Sequence, residues 1–136
     1  MITCITFINN ERQGLVYDFM INGFKVQEKV CSQHNNRNCI EFKLNKNKGS
    51  INGIPQKTSY TQGDNDFYWL NLNNKKHFYI IPEYELISRN YINIDKQSSI
   101  SLTPVSKRKN KNSWANEYLF DYTKIDEEKL KKMFHL

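Results

Sequence analysis

The chain has 136 residues and a formal net charge of +6, and 38% of its residues are hydrophobic. This length predicts one domain with a single core, and the sequence contains no apolar run long enough to cross a membrane. Apolar positions alternate with polar ones through most of the chain, which excludes a disordered protein and favours a β-rich core. The basic balance, with a pI of about 9.2, favours a nucleic-acid partner, although solubility alone also accounts for this charge.

The N-terminal region predicts a strand over residues 2–8, where β-branched side chains dominate, and then a polar turn. The three cysteines (Cys4, Cys31 and Cys39) lack the spacing of a metal site, so we expect reduced thiols. No signal-peptide pattern opens the chain. These features predict an intracellular protein of the cytoplasm or nucleus.

Residues 15–30 carry the clearest hairpin signal, because two apolar segments join at Asn22-Gly23. Both central residues of a type I′ turn need positive φ, which asparagine and glycine adopt readily. The polar residues of the two arms are Asp18 on the first, and Gln27, Glu28 and Lys29 on the second. A carboxylate, an amide or second carboxylate, and a lysine on neighbouring strands suit metal-assisted phosphodiester chemistry.

Alternation along the second arm places Gln27 and Lys29 on one face and Glu28 on the other. Gln27 and Lys29 would then line a site with Asp18. Glu28 would point toward the packed face, which is unfavourable for a charge. It either reaches water at the end of the strand, or a local bulge turns it toward Asp18 as an alternate acid.

The middle of the chain predicts a strand over residues 38–45, which would continue an antiparallel meander. Residues 46–56 then predict a loop. Three lysines in and beside this loop, Lys46, Lys48 and Lys57, either contact a phosphate backbone or are simply solvated.

A second hairpin is predicted from residues 67–72 and 78–81, and Pro82 ends its second strand. A short helical turn is predicted over 83–87. Short strands are predicted at 91–94 and 100–103.

The C-terminal region begins with a basic linker over residues 106–113. Its cations Lys107, Arg108 and Lys109 either contact DNA or form a solvated loop. A C-terminal helical segment follows over 114–136, with a capping pattern at 123–126 and a helix at 127–134. The apolar stripe of this helix (Ile125, Leu130, Met133 and Phe134) packs on the core or on a partner helix.

The hairpin pattern resembles the PD-(D/E)xK nuclease superfamily, in which an aspartate on one strand precedes a (D/E/Q)-x-K triplet on the next. The pair Tyr17-Asp18 and the quartet Val-Gln-Glu-Lys at 26–29 look most like the small endonucleases associated with group I introns. Residues 60–70 and 78–82 also resemble the strands that follow in those proteins. A short motif of this kind gains weight from the later match.

This resemblance, which covers roughly residues 15–90, implies an α+β, restriction-endonuclease-like fold in one domain spanning residues 1–136. Its central sheet would be mostly antiparallel or mixed, with few helices and the C-terminal helix packed on it. The implied function is a metal-dependent DNA endonuclease of homing or mobile-element type, in a chain of viral or mobile-element origin. A homodimer would let such an enzyme cut both strands.

The resemblance also implies roles for the hairpin residues. Asp18 and Gln27 would hold Mg²⁺ or Mn²⁺, and the backbone carbonyl after Gln27 would complete the inner shell. Lys29 would orient the attacking water or stabilise the developing phosphate charge.

Two departures from the superfamily pattern leave other functions open. Gln27 stands where an acidic ligand is usual, which lowers metal affinity, and no helix precedes the first strand. A nuclease-like DNA-binding or assembly module without chemistry is therefore one alternative. A β-rich protein-interaction module with exposed aromatic residues is another.

Overall fold

The computed structural model describes residues 7–9, 17–33, 40–72, 76–104 and 111–136. Within these ranges the strands are β1 (Phe7–Asn9), β2 (Phe19–Ile21), β3 (Phe24–Val30), β4 (Ser32–Gln33), β5 (Ile40–Lys43), β6 (Asn45–Ile51), β7 (Ile54–Ser59), β8 (Phe67–Asn71), β9 (His77–Pro82), β10 (Ser99–Leu102) and β11 (Leu119–Asp121). The helices are α1 (Glu83–Ser88), a 3₁₀ helix (Ser113–Tyr118) and α2 (Glu127–Phe134). None of the helices in these ranges is long and apolar enough to span a membrane.

Six strands form a mixed sheet in the order β1-β2-β3-β8-β9-β11. β3 and β8 run parallel, and the other neighbouring pairs are antiparallel. This architecture confirms the predicted α+β class. The predicted meander is wrong, because β5 pairs with β4 and β10 in a separate small sheet. β8 takes the place beside β3 because its side chains are buried on both faces, which favours a central position.

The six-stranded sheet packs a hydrophobic core on each face. On the first, which we call the small-sheet face, the buried residues include Phe42, Leu44, Tyr68, Leu70, Tyr79, Ile81 and Ile100. On the second, which we call the α2 face, they include Phe19, Ile21, Val26, Phe67, Phe78, Ile80, Phe120 and Phe134. Because side chains alternate along each strand, neighbouring residues of β8 and β9 serve opposite cores.

The C-terminal helix α2 has the predicted bounds and packs on the sheet. The side chain of Asp126 caps it by accepting a hydrogen bond from the backbone N–H of Lys129 at 3.1 Å. Phe134 is 1% exposed, and its ring centre lies 4.7 Å from that of Phe67. Ile125 does not join this packing, since it is 43% exposed. The predicted helical segment 114–136 also contains β11, a strand too short to leave a pattern.

Two of the described hairpins turn at asparagine-glycine pairs. At Asn22-Gly23 the φ values are 48° and 82°, as the predicted turn between β2 and β3 requires. A second such turn at Asn52-Gly53 joins β6 to β7, so the loop predicted over 46–56 is wrong. The strand predicted at 91–94 is also wrong, because Asn93 has a φ of 61° and interrupts an extended backbone.

Some sequence predictions fall outside the described residues. Of the strand predicted over 2–8, the structure describes Phe7 and Ile8, which lie in β1. The basic residues Lys107, Arg108 and Lys109 lie outside the described ranges, as do Cys4 and Cys39.

Candidate functional site

Asp18 lies just before β2 and faces the middle of β3. Its backbone N–H donates to the carbonyl of Val26 at 2.9 Å, which fixes the start of the hairpin. Its carboxylate Oδ2 accepts two hydrogen bonds, from Gln27 Nε2 at 2.7 Å and from the backbone N–H of Glu28 at 2.8 Å. The β2–β3 pairing therefore brings the predicted acid and the predicted amide together.

Gln27 presents one end of its amide to two oxygen atoms. The side chain is 8% exposed, and its Nε2 lies 2.7 Å from Asp18 Oδ2 and 3.3 Å from the backbone carbonyl of Glu28. Rotation of the amide by half a turn exchanges its nitrogen and oxygen at almost unchanged shape. The amide oxygen would then stand beside two further oxygens, and a bound cation would offset the repulsion among them.

The three oxygen donors of this set fit a hard divalent cation such as Mg²⁺, which prefers carboxylate and carbonyl ligands. The set contains one full charge, from Asp18. Across the described ranges, no group of three or more His, Cys, Asp or Glu side chains gathers at a metal-binding distance. A cation here would therefore be held by one carboxylate and neutral oxygens, which implies modest affinity.

Lys29 lies two residues beyond Gln27, and its half-buried side chain extends over Tyr60. The ammonium is 5.2 Å from the centre of the Tyr60 ring, a cation–π distance. Burial lowers the pKa of Lys29 below its ordinary 10.5, the nearby Asp18 carboxylate raises it, and the Lys57 ammonium lowers it. The lysine thus lies in a partly desolvated position, within electrostatic reach of Asp18.

Tyr60 is a neighbour of the site that the sequence pattern did not indicate. It is buried and packs edge-on against Tyr68 of the sheet. Burial raises the pKa of its phenol above 10.0, and the charges of Asp18 and Asp64 raise it further. Tyr60 therefore stays neutral and supplies a ring surface for Lys29.

Glu28 directs its carboxylate away from Asp18. The register of β3 against β8 is continuous from Val26 to Val30, so no bulge turns the side chain. Its Oε2 accepts a hydrogen bond from Asn71 Nδ2 at 2.9 Å. Glu28 therefore contacts Asp18 through its backbone N–H, and its carboxylate is bound to Asn71 instead.

The predicted DNA-contacting lysines that the structure describes lie on the β6–β7 hairpin. Lys46 forms an ion pair with Asp64 at 2.6 Å, and Lys48 forms an exposed pair with Asp95 at 2.9 Å. Lys57 is exposed and close enough to act on the pKa of Lys29. Positive charge therefore lies beside the Asp18 site, on an element that projects from it.

No protein-family model and no curated protein matches the chain. Its structure is similar to that of I-Ssp6803I, a bacterial homing endonuclease, with a TM-score of 0.61 and 20% identity over 80% of this chain and 71% of the endonuclease. It is also similar to MepB, with a TM-score of 0.63 and 11% identity over 89% of this chain and 87% of MepB. The likeness to the endonuclease shows that this chain has a nuclease-like fold.

Proposed function

We propose that this chain is a metal-dependent DNA endonuclease of the PD-(D/E)xK type, with its site at Asp18, Gln27 and Lys29. The observation that carries the proposal is the convergence of the Asp18 carboxylate and the Glu28 carbonyl on the amide of Gln27. Lys29 lies beside them on the same strand. The nuclease-like fold, shared with a homing endonuclease, supports this reading of the cluster.

Asp18, Gln27 and the Glu28 carbonyl would hold Mg²⁺ or Mn²⁺. When bound, such an ion supplies a Lewis acid for the phosphodiester and lowers the pKa of a bound water. The hydrogen bond from the Glu28 N–H orients the Asp18 carboxylate. Burial of the Gln27 side chain restricts the amide to orientations that face this carboxylate.

Lys29 would stabilise the negative charge that develops on the phosphate. A cation in a partly buried position acts more strongly than one in water, because the surrounding dielectric constant is lower. The Tyr60 ring holds the ammonium near the site. The lysine is thus positioned before substrate arrives.

DNA is the substrate that the charge distribution favours. The chain carries +6, and Lys57 of the β6–β7 hairpin lies close enough to Lys29 to act on its pKa. One site cuts one strand, so cleavage of a duplex implies a homodimer or a second binding event. This substrate also implies an intracellular protein.

The test is nicking of supercoiled plasmid in Mg²⁺ or Mn²⁺ by the native chain and by Asp18→Asn and Lys29→Met. Matched controls are Glu127→Gln and Lys124→Met, which make the same chemical changes at exposed positions. We expect nicking that needs the metal, is lost in both site variants and persists in both controls. Equal nicking by all five proteins would overturn the proposal.

A second candidate function is DNA binding without chemistry. It is favoured by the single carboxylate of the proposed set, since Gln27 contributes no charge. This function predicts a plasmid that is bound but not cut, with an affinity that is unchanged by chelation and by Asp18→Asn. The same preparations distinguish the two functions when nicking in Mg²⁺ is measured beside binding in EDTA, because binding without nicking supports this second function.

A further inference from the structure

The β6–β7 hairpin projects from the domain as a two-stranded ribbon, which we call the ribbon (residues 45–59). Every residue from 47 to 55 is exposed, including Ile51 and Ile54, which are each 63% exposed. At about 3.3 Å per residue, β6 extends for about 20 Å. The major groove of B-DNA, about 12 Å wide and about 8.5 Å deep, admits a two-stranded ribbon of this kind.

The base of the ribbon is fixed to the domain by hydrogen bonds. The hydroxyl of Ser59 donates to the Ile94 carbonyl at 2.7 Å and accepts from the Ile94 N–H at 3.0 Å. On the other strand, Asn45 Oδ1 accepts from the backbone N–H of Ser98 at 2.7 Å. A ribbon held in this way keeps a defined direction relative to the domain.

The ribbon starts beside the proposed catalytic site. Tyr60, the residue after β7, carries the ring on which the Lys29 ammonium rests. The Lys57 ammonium acts on the pKa of Lys29 as well. A duplex whose phosphate reaches Lys29 would therefore lie close to the base of the ribbon.

The charge of this segment suits a polyanion. Residues 42–63 contain four lysines and no aspartate or glutamate. Lys46 and Lys48 each have an acidic partner outside the ribbon, and Lys57 lies close enough to Lys29 to act on its pKa. Lysines on the flanks of a groove-binding element contact phosphates and fix its register.

A β-bulge bends the ribbon halfway along. The register shifts between Asn47 and Gly49, and Gly49 has a φ of 107°. A Cβ at Gly49 would meet nothing within 4 Å, so the backbone conformation rather than space calls for glycine there. Bulges increase the twist of a strand pair, which helps a ribbon to follow a groove.

The outer half of the ribbon presents base-reading chemistry on one face. Ile51 is paired with Ile54, and Gln56 is paired with Gly49, so the three side chains share a face. Glutamine amides recognise the N6 and N7 atoms of adenine, and aliphatic groups contact the thymine C5-methyl group. The ribbon contains no arginine, the residue that most often reads guanine.

We propose that the ribbon enters the major groove and reads A·T base pairs through Gln56, Ile51 and Ile54. This inference rests on the proposed function, because it assigns the DNA sequence preference of the same enzyme. The alternative is that a second copy of this chain covers the exposed isoleucines Ile51 and Ile54.

The test begins with selection from duplex DNA that has a randomised core, in EDTA, by the native chain. The bound sequences are compared with those bound by Gln56→Ala and by the double variant Ile51→Ser/Ile54→Ser. Ile125→Ser, which changes an exposed isoleucine on another element, is the matched control. Thermal melting verifies folding, and light scattering gives the oligomeric state.

We expect the native chain and the control to enrich the same A·T-containing motif, and each ribbon variant to lose part of it. Replacing thymine by uracil in that motif should weaken native binding about fivefold or more, and should not weaken binding by the double isoleucine variant. Replacing adenine by 7-deazaadenine, which lacks the N7 acceptor, should weaken binding by the native chain and should not weaken binding by Gln56→Ala.

Identical motifs from all four proteins would overturn the ribbon proposal while leaving the nuclease proposal intact. If the double variant changes oligomeric state but binds an unchanged motif, the ribbon proposal is overturned, and the isoleucines join two copies of this chain instead. Native protein that binds no DNA would overturn both proposals together.

Discussion

The side-chain nitrogen of Gln27 lies 2.7 Å from Oδ2 of Asp18, so a neutral amide occupies the position beside the carboxylate where a second acid would stand. We predict that Gln27→Glu makes the protein more dependent on divalent cations. Two carboxylates at this separation repel each other, and we expect a loss of about 1–3 kcal/mol of stability without metal.

Thermal melting with and without Mg²⁺ checks this prediction. Mg²⁺ should raise the Tm of Gln27→Glu by more than it raises that of the native chain, since a ligand that binds the folded state stabilises it. The control is Gln56→Glu, which changes the net charge by the same amount at a half-buried position on the β6–β7 hairpin. An equal response to Mg²⁺ in all three proteins would contradict a cation site between Asp18 and Gln27.

Lys29 is expected to lower stability at neutral pH. Burial lowers its pKa below 10.5 in the folded protein, so the unfolded chain binds this proton more tightly. Stability therefore rises with pH as the pH passes from the lowered pKa to 10.5. Lys29→Met removes the buried charge, and we expect it to raise the Tm at about pH 7 while it abolishes nicking.

The measurement is a series of thermal melts from neutral to alkaline pH, with Lys124→Met as the exposed control. The gain in Tm from Lys29→Met should shrink as the pH approaches 10.5. A Tm below that of the native chain at neutral pH would mean that the attraction of Lys29 to the Asp18 charge and the Tyr60 ring outweighs its desolvation.

Phe134 is expected to carry much of the attachment of α2 to the sheet. Its side chain is 1% exposed, and Phe134→Ala should lower the free energy of unfolding by about 3–5 kcal/mol. Leu136→Ala, two residues farther along and 39% exposed, should change it by less than about 1 kcal/mol. Urea denaturation measures both, and similar values for the two variants would show that α2 contributes little to the core.

Lys57 and Lys46 should differ in their contribution to DNA binding. Each phosphate contact adds about 0.9 to the slope of log affinity against log salt concentration. We predict that Lys57→Ala lowers this slope by about that amount. Lys46→Ala should lower it less, because Asp64 already neutralises this lysine. Anisotropy titrations of a labelled duplex across a salt series give both slopes, and a larger effect of Lys46→Ala would count against this assignment.

The sequence predicts those elements that bury one face and have turn or helix-capping residues at one end. The turn at Asn22-Gly23 and the helix that starts after Asp126 are examples, since short-range chemistry specifies each of them. The sequence predicts a loop where the ribbon lies, because the outer residues of the ribbon are exposed and show no alternation of apolar and polar positions. Its turn at Asn52-Gly53 was the signal that could have identified it.

The candidate site was predictable only as far as one hairpin extends. Asp18, Gln27 and Lys29 lie on adjacent arms, so turn position and alternation suffice to bring them together. Tyr60 and Lys57 arrive from a separate element, which the small sheet and the 91–98 segment hold in place. Local patterns contain no information about that placement.

The parallel pairing of β3 with β8 has a consequence for how the protein folds. Residues 31–66 form a loop between β3 and β8 in the sequence, and this loop must close before β8 can align beside β3. The entropy cost of closing it arises before the contacts between the two strands contribute any stabilisation. The segment that becomes the ribbon lies inside this loop. We therefore expect the β2–β3 hairpin to form early, and Lys29 to gain its tyrosine neighbour only in the late, slow step that completes the sheet.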